Sequence, residues 1–444
     1  MTVDRQNVET VRTKHPSWEG VVAVLMLLLC CGIPRGARAQ DTWEGFSLLQ
    51  PQRDWPWWRG PYRNGHAAPQ CRPPVRFSEH EKVRWKVEVP GRGHSSPVVF
   101  ADRVFLATAD EQQQVQSVLA YRLADGAPLW QRPLSQGGFP ENNHPKNTEA
   151  SPTVACDGQR VFVTFFHHQA IHLTALDLDG TTVWERNLGT FNPRRYEYGY
   201  APSPVLWRDL VIVSAEYDGP SWIVAVRRST GEQVWRTARP TGITFSSPVV
   251  AHVAGREQLF LSGADRVASY NPADGKLLWS VAGTTAATCG TVVWWDDVVM
   301  ASGGYPKAET IAVRADGSGE VLWRNNQKCY EQSMIVVEGY LYALTDRGIL
   351  YCWRVEDGEE MWRERLRGPV SSSPVYAGGH LYWANEAGTV YVFRPNPQRF
   401  ELTAENRLGD ELFASPAVTG NRLLFRYASR VGSERRERLI CLED

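Results

Sequence analysis

The sequence predicts an all-β chain folded as a single eight-bladed β-propeller of four-stranded antiparallel blades, its ring closed by an N-terminal strand in the last blade. Three observations carry the prediction. The first is a recurring phrase, clearest in Ala225-Val-Arg-Arg-Ser-Thr-Gly-Glu-Gln-Val-Trp235. It reads as an apolar strand end, a tight Gly-containing turn and a second strand ending in Trp, which is the form of a β-hairpin. The second is a Ser-Pro start followed by an alternating apolar run, at Ser96, Ser151, Ser203, Ser247, Ser373 and Ser415, with degenerate copies at Gly290 and Ser333. These eight starts lie 40 to 55 residues apart, a period that fits four short strands per unit and not a helical solenoid. The third is an unfinished last unit, which runs out after Leu439–Leu442 with no Trp-ending partner, while Val83-Arg-Trp-Lys-Val-Glu-Val89 stands unclaimed before the first unit. Pairing those two ends leaves no open sheet edge to template aggregation.

From the N-terminus, residues 1–39 read as a secretory signal. Arg5, Arg12 and Lys14 precede the apolar run Val21–Cys31, which is too short to span a bilayer, and Ala37-Arg-Ala39 offers a small-x-small cleavage site. Acylation of Cys30 or Cys31 is the alternative, although neither follows a small residue. No later segment reaches transmembrane length, so a monomeric propeller in the periplasm or outside the cell is expected. Residues 40–80 are rich in Pro, Gly and aromatic groups; Trp55, Trp57 and Trp58 are expected to pack across the propeller as an extended arm, with partner binding as the alternative. Residues 81–444 make the propeller. Its repeated Trp85, Trp130, Trp184, Trp235, Trp279, Trp323 and Trp362 have a structural role as docking groups, each burying roughly 150–250 Å² between blades.

A net charge of −1, with no basic run or stripe, gives no reason to expect nucleic acid. Six cysteines follow the signal: Cys71, Cys156, Cys289, Cys329, Cys352 and Cys441. None has the Cys-x-x-Cys spacing of a zinc site. An oxidising compartment allows disulfides, and Cys289 with Cys329 is the best candidate pair, free thiols being the alternative.

Strands of a blade run from the axis outward, so their connections alternate between two faces. Short Asp-Gly and Thr-Gly turns occupy one face. Loops entering each first strand and joining the second and third occupy the other, and they are long and varied, as binding loops are. The richest, Gly137 to Glu149, carries His144, Asn147 and Glu149. The face rule sets it beside His167-His168 and near Arg195, Tyr198 and Glu216. His144, Glu149, His167 and His168 are a candidate metal or acid/base cluster, with a solvated turn as the alternative, and no catalytic or metal role is assigned to them. Around the ring the same face offers His94, Tyr305, Lys307, Lys328, Glu331 and Arg347. A polar, aromatic-lined rim of this kind suits a protein segment or a saccharide.

The phrase Ala-x-x-x-x-Thr-Gly-x-x-x-Trp resembles the tryptophan-docking motif of quinoprotein (PQQ) dehydrogenases, shared by PQQ-like propellers and by the BamB-like lipoprotein of the outer-membrane barrel-assembly machinery. The resemblance covers residues 83–444. Trp55-Pro-Trp-Trp-Arg-Gly-Pro61 with Asn64-Gly65 is similar to the opening of secreted bacterial PQQ-like propellers. The family includes enzymes and non-enzymes, so the fold does not choose between them. The resemblance implies, for the enzymes, a quinone held between a Trp and a vicinal Cys-Cys disulfide, with calcium beside an aspartate base. Here the adjacent cysteines, Cys30-Cys31, fall in the signal, and neither the calcium ligands nor the base has a match. Gly-x-Ser-x-Gly and His-Glu-x-x-His are also absent from the sequence. The expectation is a non-catalytic binding or scaffold propeller without a cofactor; the alternative is a PQQ-dependent alcohol or sugar dehydrogenase with PQQ and calcium.

Overall fold

The computed structural model describes residues 43–444; the expected signal, Cys30, Cys31 and the cleavage site lie outside the described residues. Eight four-stranded antiparallel sheets are arranged as the blades of a propeller. Seven blades are built from consecutive strands, as in blade 1 with Val98–Phe100, Arg103–Asp110, Val115–Arg122 and Pro128–Gln136. The eighth takes its three inner strands, Ala417–Thr419, Arg422–Val431 and Glu434–Glu443, from the C-terminal end and its outer strand, Val83–Val89, from near the start. Trp85 faces Cys441 and Val87 faces Leu439 across that pairing. The ring is therefore closed as the sequence predicts.

Burial follows position in the blade. In blade 2 the second strand, Arg160–His167, is buried at every residue but its first, because both its faces lie against neighbouring blades. Its outer strand, Thr182–Thr190, alternates exposed residues with buried Trp184 and Leu188.

The Trp residues sit at the seams. Trp85 donates its indole N–H to Leu123 O of blade 1 at 2.8 Å, Trp130 to Leu178 O of blade 2 at 3.0 Å, and Trp184 to Arg228 O of blade 3 at 3.0 Å. Trp235, Trp323 and Trp362 repeat this with Pro272 O, Val355 O and Asn396 O at 2.7 to 3.1 Å. Trp279 instead donates to Gln258 Oε1 at 2.9 Å, and Gln258 Nε2 carries the link to Ala315 O of blade 5. The repeated Gly belongs to the same joint. Gly231 has a φ of +71°, and a Cβ there would stand 2.7 Å from the indole of Trp184, so the turn and the docking ring both require glycine. Between blades 7 and 8, Ala404 holds the outer-strand position next to the bulge where other blades have Trp. Phe77 fills that seam: its N–H donates to Asn406 Oδ1 at 2.9 Å, and its ring packs 5.9 Å from Phe425.

The inner strands are joined by a girdle of hydroxyls. Ser96 N–H donates to Thr153 Oγ1, Thr153 N–H to Ser203 Oγ, and Ser203 N–H to Ser247 Oγ. Thr291 continues to Ser333, Ser333 to Ser373, Ser373 to Ser415, and Ser415 back to Ser96, all at 2.8 to 3.0 Å. This register moves two of the expected starts: Thr153 takes the place of Ser151, and Thr291 that of Gly290. The oxygen of Thr291 accepts the indole N–H of Trp58 at 2.9 Å.

Trp58 belongs to the arm, which inserts along the inner strands from the turn-bearing face. Trp55 bridges to Val99, Arg59 donates to Met334 O and Pro374 O, Arg63 donates to Leu206 O, and His66 Nε2 lies 2.7 Å from Val336 O. Those partners lie in blades 1, 6, 7 and 3, so the arm crosses the channel.

An axial cavity on the loop-rich face

The positions two residues before each girdle hydroxyl are His94, Ser151, Ala201, Phe245, Cys289, Glu331, Ser371 and Phe413. All eight line one cavity of about 160 Å³. Side chains two apart on an extended chain point the same way, so each blade sends its hydroxyl and this second residue toward the axis, one layer above the other. Trp58 and five of the girdle hydroxyls form the floor, and His144, Lys146, Asn147, Tyr198 and Tyr330 come from the loops. His94 stacks on Phe413 with ring centroids 4.5 Å apart, and His144 stands edge-on to Tyr198 at 4.8 Å.

The loop entering blade 2 reaches over the mouth. Lys146 Nζ lies 2.6 Å from Glu386 Oε1 of blade 7 and 3.9 Å from Glu331 Oε1. The hydroxyl of Ser371 lies within hydrogen-bonding distance of both carboxylates and shares its one proton between them. Burial pushes the Glu331 carboxyl up, against the pull of Ser371 and Lys146. Burial drives His94 well below its ordinary value, assisted by the charges of Arg92, Arg426 and Arg435, which leaves a neutral imidazole at neutral pH. His144 is lowered by burial and by Lys146. The Cys289 thiol is raised by burial and by Glu331 and Asp346, so it stays protonated and weakly nucleophilic.

The structure thus brings His94, His144, Asn147, Tyr198 and Glu331 together and leaves the other candidates outside the lining. Glu149 accepts from Asn143 Nδ2 at 2.7 Å. His167 and His168 pair with each other, Nδ1 to Nδ1 at 3.0 Å, and His167 stacks on His172 at 3.9 Å. Among the described residues no group of three or more His, Cys, Asp or Glu is placed to hold a metal ion, so the suggested His144, Glu149, His167 and His168 cluster does not assemble. The reason is the path of the loop: its start is held to His168 through Gly138 O, while its tip reaches the axis. Glu216 forms a buried ion pair with Arg239. Lys328 pairs with Asp346 at 3.3 Å and lies over Tyr330. Tyr305 is exposed beside Tyr196, and Arg195, Lys307 and Arg347 are exposed.

The suggested Cys289–Cys329 disulfide is absent: both are free thiols, and Cys329 Sγ points to Leu344 O. Cys289 stands two residues before its girdle position and Cys329 four, so the pair is out of register. The sequence placed Trp58 in the arm and not in the site, and it gave no place there to Phe245, Ser371 and Phe413. The signal for the last three was their fixed offset from the strand starts.

Comparison with known proteins agrees with this architecture. The profile of the family described as outer membrane protein assembly factor BamB matches residues 77–244, 219–328 and 307–397. A curated protein of that name from Alkalilimnicola ehrlichii is 26% identical over 188 residues, 40% of this chain and 48% of the relative. The chain thus spans about half the length of the curated relatives it matches. Among solved structures, BamB from Moraxella catarrhalis superposes with a TM-score of 0.56 at 16% identity, covering 80% of this chain and 95% of that one. A europium-containing methanol dehydrogenase gives 0.65 at 10% identity, covering 87% and 91%; both are likenesses of fold. With the profile matching most of the propeller, the docking Trp at its seams and the ring closed end to end, this chain belongs to the PQQ-like propeller family described as outer membrane protein assembly factor BamB.

Proposed function

We propose that the protein is a non-catalytic recognition propeller of the bacterial envelope that engages its partner through the loop-rich face around the axial cavity. The observation that carries this reading is the internal satisfaction of the cavity's charges. Lys146 is held by Glu386 and Glu331, and the Ser371 hydroxyl shares its single proton between the two carboxylates. What remains presented is aromatic, hydroxyl and neutral imidazole surface, with no free carboxylate or ammonium among the lining groups and the Cys289 thiol held protonated.

The residues of the cavity do not suit a PQQ with its calcium. A quinone bearing three carboxylates needs cations, and the one ammonium lining the cavity is already committed to Glu386. Cys289 stands without an adjacent cysteine, and Glu331 and Glu386 are tied to Lys146 and Ser371. The relatives' name describes a factor in outer membrane protein assembly, and a periplasmic recognition module fits such a setting. Among the described residues no helix is long and apolar enough to cross a membrane.

Site-specific cross-linking tests the choice of face. A photoreactive residue at Tyr305, exposed on the loop-rich face, is expected to give a discrete adduct in native envelopes, and one at Leu277, exposed on the outer rim of blade 4, is not. Adducts from the rim alone, or identical patterns from both sites, contradict the assignment.

A further inference from the structure

We propose that the axial cavity is a binding site for a single neutral pyranose ring, an inference that rests on the recognition reading of this face. Size is the first argument. The cavity measures about 160 Å³; one of roughly 150 Å³ holds a benzene ring, so the core of a single six-membered ring fits here only with its hydroxyls directed at the floor and toward the mouth.

The floor supplies the second. Ser96, Thr153, Ser203, Ser247 and Ser415 line it, and they are only 2 to 7% exposed. Each oxygen already accepts a backbone N–H from the neighbouring blade, so each hydroxyl keeps its own proton to donate. A ring of O–H donors calls for a ligand rich in acceptor oxygens spaced around its rim. Buried donors left without partners are costly, which favours such a ligand over an apolar one. His94 Nε2, also buried, has no partner within the chain.

The walls and the charge narrow the class. Phe245, Tyr330, Tyr198 and Phe413 offer aromatic surface of the kind that covers the C–H faces of a sugar while its hydroxyls reach polar groups. Lys146 is opposed by two carboxylates, so the cavity has no surplus positive charge for an acid sugar or a phosphate. Both carboxylates are engaged, which leaves no free anion for an ammonium group. A polypeptide offers this ring of donors one carbonyl per residue, whereas a pyranose carries an oxygen on nearly every ring carbon and so meets several floor hydroxyls at once.

The test is saturation-transfer NMR and tryptophan fluorescence on the full chain with methyl pyranosides of glucose, galactose, mannose, xylose and N-acetylglucosamine at millimolar concentration, and glucuronate as the charged control. We expect at least one neutral pyranoside to bind saturably, with Trp58 on the floor reporting it, and glucuronate to bind at least about tenfold more weakly. Phe413→Ala is expected to weaken binding about tenfold. Ala201→Phe fills the cavity without removing any wall group; it is expected to abolish binding while circular dichroism and the melting temperature show the fold intact. The proposal is overturned if no pyranoside binds, if glucuronate binds equally well, or if binding survives both variants. The same samples given PQQ, calcium and a redox dye separate the two readings. Sugar oxidation defeats both, whereas absence of sugar binding with a polypeptide adduct from the Tyr305 site overturns the pyranose assignment and leaves recognition standing.

Discussion

Lys146, at the tip of the loop entering blade 2, places its ammonium 2.6 Å from the carboxylate of Glu386 in blade 7. The contact spans the mouth of the axial cavity, so one loop serves as an arch over a site to which every blade contributes. Lys146 retains 36% exposure of its side chain, so its direct worth to stability is small, about 0–1 kcal/mol. Its larger effect is on where the loop rests.

Lys146→Met should therefore leave the melting temperature nearly unchanged and speed hydrogen exchange across residues 137–149. Burial lowers the lysine, but the hydrogen bond to Glu386 and the charges of Glu331, Glu386 and Asp346 outweigh it and raise the ammonium above 10.5. A raised base contributes fully below its unfolded value and loses its contribution as pH rises through the folded one. The arch should then hold at neutral pH and loosen only above about 10.5. Equal exchange in the variant and the parent would show that the contact does not fix the loop.

Glu149 predicts a second pH effect of the same sense in a lower window. Burial pushes its carboxyl up to about 7, helped by Glu111 and opposed by the hydrogen bond from Asn143. The folded chain holds this proton where the unfolded chain has released it, so stability from this group falls as pH rises from about 4.5 to about 7 and is flat beyond. Glu149→Gln should remove that slope from a plot of melting temperature against pH. A slope unchanged in the variant assigns it to another group.

The hydroxyl girdle predicts a chemical requirement at each blade. Ser203→Ala leaves the buried N–H of Thr153 without its acceptor and should cost about 1–3 kcal/mol in denaturant unfolding. Ser203→Thr should cost less, since Thr153 and Thr291 already occupy this register. Equal losses for both variants would mean that volume, and not the hydrogen bond, matters.

At the seam between blades 2 and 3, Trp184→Ala should destabilise by about 3–5 kcal/mol. Gly231→Ala should also be costly, because its methyl group would meet the same indole. The double variant should lose less than the sum of the two, since removing the indole makes room for the methyl. Simple additivity in unfolding free energy would argue against a shared joint.

Much of the fold was legible because its repeat is written in residues with one structural use each, Trp at the seam and Gly in the turn. The closing strand was legible because Trp85 carried the same signal with no hairpin partner beside it. The register slipped at Ser151, where a Ser-Pro dipeptide stands two residues before the hydroxyl of Thr153, and at Gly290, where a degenerate start stands one residue before that of Thr291. The site was only partly legible. His94, His144 and Glu331 could be placed together from the loop pattern and do line the cavity, yet the common offset linking His94, Phe245 and Phe413 emerges only once the strands are aligned by the girdle. The reach of Lys146 to Glu386 and the entry of Trp58 from the far side depend on ring closure, which no local pattern records. Cys289 and Cys329 looked paired because adjacent blades carry them, but they lie at different depths along their strands.

Titration of the purified protein with PQQ and calcium, followed by gel filtration and dye-linked assay with alcohols and sugars, tests most directly whether the axial cavity recognises its ligand or oxidises it. The expected result is no quinone retained and no dye reduced; one quinone retained per chain, with turnover, would contradict it.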